Sequence, residues 1–107
     1  MNIGYAIKAA RTSHGLSQVE LSEQTGISQT SISQIESGAK NPSKRSIGII
    51  CKTLEIPEAI LYILGMEDTD VPLSRKKMFD HLFPDIKDLA VQIIGTKKSK
   101  LINRGNQ

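Results

Sequence analysis

Gln29, Thr30, Ser33 and Gln34 are amides and hydroxyls spaced so that a helix places them together on one side. A carboxamide offers a donor and an acceptor side by side, which matches N6 and N7 of adenine. A threonine methyl can meet the thymine methyl, and serine is small enough to let the backbone approach closely. An uncharged outward face of this kind suits base edges in the major groove of double-stranded DNA. Two short helices must position it. Ser17 and Ser28 are good N-caps, each followed at once by a glutamine, Gln18 or Gln29. Between them Thr25-Gly26 ends the first helix, because glycine takes the left-handed conformation cheaply there. Leu16, Val19, Leu21, Ile27, Ile32 and Ile35 are expected to supply the inner face.

The stretch from Leu16 to Gly38, LSQVELSEQTGISQTSISQIESG, resembles the helix-turn-helix of the lambdoid phage repressor and Cro class, the Xre-type transcriptional regulators. Gln18 opens the first motif helix, Gly26 sits in the turn, Ile32 and Ile35 take the inner positions, and Glu36-Ser37-Gly38 closes the motif. Looser similarity runs from Ile3 to about Gly65 and does not extend over residues 66–107. Ser22 and Thr25 depart from the apolar residues usual at their positions, and each can hydrogen-bond back to a helix carbonyl.

The resemblance implies a five-helix, lambda-repressor-like DNA-binding domain with α-helices only, and a regulator of transcription acting as a repressor. It makes Gln29, Thr30, Ser33 and Gln34 the base-reading set. It also implies that Gln18 holds both a DNA phosphate and the Gln29 side chain. Arg11 and Glu36 stand where such repressors have an arginine–glutamate pair, which would lock the first helix to the recognition helix.

Backbone contacts are expected from Ser28, which orients the recognition helix, and from the loop that follows it. That loop holds Lys40, Asn41, Ser43, Lys44 and Arg45, and Ser43 opens a helix whose free N–H groups suit a phosphate. The formal net charge is +3, from 14 Lys and Arg against 11 Asp and Glu, which is compatible with nucleic acid without requiring it.

Several classes fall away. The single cysteine, Cys51, excludes an internal disulfide and reads as a small buried hydrophobe. His14 and His81 have no second ligand at metal spacing, so no metal or other cofactor is expected. No nucleophile elbow, phosphate-binding glycine loop or H-E-x-x-H motif is present, and the chain is read as non-enzymatic. The longest apolar run, Ala59 to Leu64, is far short of the ~18 residues a membrane span needs. A soluble, cytoplasmic protein is expected.

Every segment up to Gly65 has helical periodicity, so residues 1–65 are read as five helices, with Pro57 in the first turn of the fifth. Residues 66–74 are acidic and contain a proline, and read as a linker. Residues 75–95 turn amphipathic and are expected to form two helices split at Pro84. Their apolar stripe holds Phe79, Leu82, Phe83, Ile86, Leu89, Ile93 and Ile94. It cannot bury itself alone, so it either pairs with a second copy, giving a homodimer, or packs back on helices four and five. Residues 96–107 carry Lys97, Lys98, Lys100 and Arg104 with no acidic residue, and read as a disordered basic tail. Two other functions fit the same motif. One is an antitoxin or phage-type switch protein whose C-terminal segment binds a partner protein. The other is an interaction module that no longer binds DNA.

Overall fold

A computed structural model of the chain describes the backbone of residues 1–105 and the side chains of residues 1–95. The basic tail expected to be disordered over residues 96–107 instead continues as helix as far as Gly105, with its side chains outside those described. Five helices precede a long sixth: α1 Ile3–Ser13, α2 Gln18–Thr25, α3 Gln29–Ser37, α4 Lys44–Leu54, α5 Glu58–Gly65 and α6 Lys76–Gly105. No strand occurs among the described residues.

Local chemistry sets most of these boundaries. The hydroxyls of Ser17, Ser28 and Ser43 accept from the backbone N–H groups of Glu20, Ser31 and Ser46 at 3.0, 3.1 and 3.0 Å. Gly26 and Gly38 end α2 and α3 in the left-handed region, at φ 77° and 84°. Pro57 is the residue before α5 and not part of its first turn.

The core is aliphatic, with Ile7, Leu21, Ile32, Ile50, Leu54 and Leu61 completely enclosed. Cys51 joins it at 3% exposure, and burial, helped by the charge of Glu58, pushes its thiol up to about 11. Val19 does not take the inner position expected of it and is 46% exposed. Two residues along a helix turn the side chain by about 200°, so α2 cannot bury both Val19 and Leu21. Gly4 lets α1 lie directly on α3, since a Cβ there would collide with the Ile35 carbonyl oxygen. A larger residue would push the recognition helix out of place.

The acidic segment after Gly65 forms two short 3-10 turns, Asp68–Asp70 and Leu73–Arg75. The Met1 amine binds the carboxylates of Glu67 and Asp70 at 2.8 Å, holding this segment beside the start of α1. α6 does not break at Pro84 but runs through it. Pro84 and Asp80, whose carbonyl loses its helical donor, are both exposed, so water can satisfy that carbonyl. α6 packs on α5 and α1. No described helix is long and apolar enough to cross a membrane.

Candidate nucleic-acid interface

The fold buries one side of α3 and leaves the other free. Ile32 and Ile35 are 1% and 2% exposed, whereas Gln29, Thr30, Ser33 and Gln34 all face solvent. These four line one shallow hollow of about 300 Å³, so the structure does bring the expected base-reading set together. No acidic residue lies in the first turn of α3. A negative side chain there would oppose the approach of a phosphate to the helix N-terminus. The turn before α3 is braced by Thr25, whose hydroxyl donates to the Leu21 carbonyl at 2.7 Å and accepts from the Ile27 N–H at 3.2 Å.

The loop after α3 folds back on it. The Lys40 N–H donates to the Gln34 carbonyl at 3.1 Å, and Lys40 Nζ reaches the Ser31 hydroxyl at 3.3 Å. Ser31 therefore serves the loop, a role that its place in the sequence did not signal. Asn41, Lys44 and Arg45 are exposed. The Ser43 hydroxyl is committed to its own helix, accepting from the Ser46 N–H and donating to Ser46 Oγ, each at 3.0 Å. The remaining anion donors at the start of α4 are the backbone N–H groups of Lys44 and Arg45.

Behind the face lies a buried ion pair. Arg11 Nε and Nη2 donate to the two oxygens of Glu36 at 2.7 and 2.9 Å, and Nη1 donates to the Leu16 carbonyl at 2.7 Å. The side chains of Arg11 and Glu36 are 9% and 3% exposed. Hydrogen bonding to Glu36 is the main reason that the guanidinium pKa is raised, with desolvation opposing it and the Glu36 charge adding to it. One arginine thus ties α1 to the connection just ahead of α2 and to the last turn of α3. Gln18 departs from expectation. Its Nε2 donates to Glu36 Oε1 at 3.1 Å, and not to the Gln29 side chain. An ionised carboxylate attracts an amide N–H more strongly than a neutral amide oxygen does.

Comparison with known proteins agrees with this geometry. The helix-turn-helix family model matches residues 7–61, from the middle of α1 into α5. The chain belongs to the Xre-type helix-turn-helix family. It is 33% identical over 61 residues to the transcriptional regulator ClgR of Mycobacterium tuberculosis, covering 57% of this chain and 54% of the regulator. It is 39% identical over 54 residues to the antitoxin PezA of Streptococcus pneumoniae, covering 50% of this chain and 34% of the antitoxin. The helix-turn-helix chain thus spans about half the length of the first of these relatives and a third of the second. No solved structure matches it.

In this helix-turn-helix protein, α6 lies beyond the matched residues and carries two apolar stripes. Ala90 and Ile94 are buried at 1% and 6% against the domain. Phe83 is half-buried, and its ring stacks on Phe79 with centroids 4.3 Å apart. Lys87 lies over the Tyr5 ring of α1, 5.8 Å from its centroid. The second stripe is Phe79, Leu82, Ile86, Leu89 and Ile93, whose 3-4-3-4 spacing places them at successive a and d positions of a heptad. Leu82, Ile86, Leu89 and Ile93 remain 47, 46, 58 and 38% exposed. The amphipathic reading of residues 75–95 merged the two stripes. Counting the 3-4 alternation separates them.

Proposed function

We propose that this chain is a sequence-specific DNA-binding transcriptional regulator that acts as a repressor, with α3 seated in the major groove. The uncharged outer face of α3 carries this reading. Gln29, Thr30, Ser33 and Gln34 project together from a helix whose opposite side is locked into an aliphatic core. Exposed Lys40, Asn41, Lys44 and Arg45 flank that face, where phosphates would lie beside an inserted helix. Family membership and the regulator among its relatives support the same reading.

We further propose that it binds a two-fold operator as a homodimer joined through α6. A stable monomer has no use for an exposed row of Leu82, Ile86, Leu89 and Ile93. Isoleucine at a with leucine at d is the heptad composition that favours two strands. Pairing would present two recognition helices to successive major-groove faces, ~34 Å apart. A second reading has its own support. The antitoxin among the relatives, together with the same exposed stripe, fits a protein partner seated on α6 in place of a second copy.

Selection of bound duplexes from a random-sequence pool, followed by footprinting on the DNA upstream of its own coding sequence, tests the proposal. A recovered two-fold sequence protected in the footprint is the expected result. Failure to retain any duplex at low salt overturns it, because phosphate contacts alone give measurable binding there.

A further inference from the structure

We infer that Glu36 is a positioning residue for DNA binding, and that it acts by fixing which end of the Gln18 amide faces the duplex. The inference deepens the proposed DNA-binding role and rests on it. Glu36 is nearly enclosed, and its carboxylate accepts from Arg11 Nε, Arg11 Nη2 and Gln18 Nε2. An ionised carboxylate only accepts hydrogen bonds, so the Gln18 amide cannot turn over without setting its oxygen against that charge. The NH₂ end is held on Glu36. Its second hydrogen and the amide oxygen are left for other partners.

Gln18 is the first residue of α2, half-buried at the edge between α2 and α3. The free N–H of Nε2 is the donor that a phosphate oxygen needs, and the remaining Oε1 can accept from an amide N–H such as that of Gln29. A freely rotating glutamine would present its oxygen to phosphate part of the time and be repelled. Arg11 meanwhile holds Glu36 in place by a planar two-point contact, which transmits the position of α1 to this amide.

The test has two parts, both on the full chain. In the first, Gln18→Ala is made in the wild-type and the Glu36→Gln backgrounds, and affinity for a random-sequence DNA duplex is measured over a series of salt concentrations, with the losses compared at one of them. In the wild-type background the loss should be about tenfold, as for one hydrogen bond to a charged group. The salt slope should not change, because Gln18 carries no charge. In the Glu36→Gln background the same substitution should cost about twofold or less, since the amide is no longer held one way round. Equal losses in the two backgrounds overturn the inference and leave Glu36 a purely structural residue.

In the second part, exchange of the side-chain amide hydrogens is followed by NMR in the unaltered chain, which does not depend on any variant folding. One Nε2 hydrogen of Gln18 should exchange more slowly than those of the exposed Gln29 and Gln34. Uniform exchange at all three overturns the inference. If the wild-type chain binds no duplex, the DNA-binding reading fails and the positioning role fails with it. The exchange data would still separate that outcome from loss of the Gln18–Glu36 bond.

Discussion

Arg11→Met should destabilise the fold by about 3–5 kcal/mol, although methionine is of similar length and fits a helix well. The arginine makes three hydrogen bonds, two of them to a carboxylate that is only 3% exposed. Removing it leaves the Glu36 charge enclosed with the Gln18 amide as its remaining partner. A stranded buried charge costs far more than a lost surface pair, which would amount to less than about 1 kcal/mol. At roughly 4 °C or more per kcal/mol for a domain of this size, the melting temperature should fall by at least about 12 °C. Glu36→Leu alone should cost a similar amount by stranding the guanidinium. The double variant, Arg11→Met with Glu36→Leu, should recover most of the loss because no charge is left unpaired. Thermal melting of the four proteins by circular dichroism measures all of this. Single losses below about 1 kcal/mol, or a double variant equal to the sum of the singles, would refute the claim that the pair locks α1 to α3.

Gln29→Ala should weaken binding to the selected operator by about tenfold while leaving random DNA almost unaffected, and equal losses on both would remove Gln29 from the base-reading set. Lys44→Ala should weaken both about equally and reduce the salt slope by about one; an unchanged slope would argue against a phosphate contact. Sedimentation at micromolar concentration should give a dimer for the full chain and a monomer for Leu89→Asp, which changes a residue 58% exposed and outside its own core. A wild-type monomer with full affinity for a two-fold operator would sink the α6 pairing. Cys51 ionises near 11 when folded against an ordinary 9.0, so the unfolded chain loses this proton first as pH rises. Its contribution to stability is intact below pH 9.0 and is lost between there and about 11. Urea melts across that range should therefore decline more steeply for wild type than for Cys51→Ala, and parallel curves would contradict it.

The sequence by itself determined the boundaries of α2 and α3 and the membership of the outer face. Serine caps and glycine turns act within three or four residues, so Ser17, Ser28, Gly26 and Gly38 specify their conformations with little outside help. The periodicity of Ile32 and Ile35 then fixed by exclusion which residues of α3 face outward. Arg11 and Glu36, 25 residues apart, were legible only through family resemblance, because no local rule connects side chains at that separation. Other features came only from packing. Val19 lost the core to Leu21 because the helix phase is set by what α2 meets, and the Gln18 amide took Glu36 because folding carried a buried carboxylate within its reach. Pro84 stayed inside α6 because its surroundings are open to water, whereas proline chemistry alone argues for a break. Tertiary contact likewise sorted the apolar residues of α6, docking Ala90 and Ile94 on α1 and α5 and leaving the Leu82–Ile93 seam in solvent. A one-dimensional pattern records that a helix is apolar on more than one side, but only the neighbouring helices decide which side is already covered.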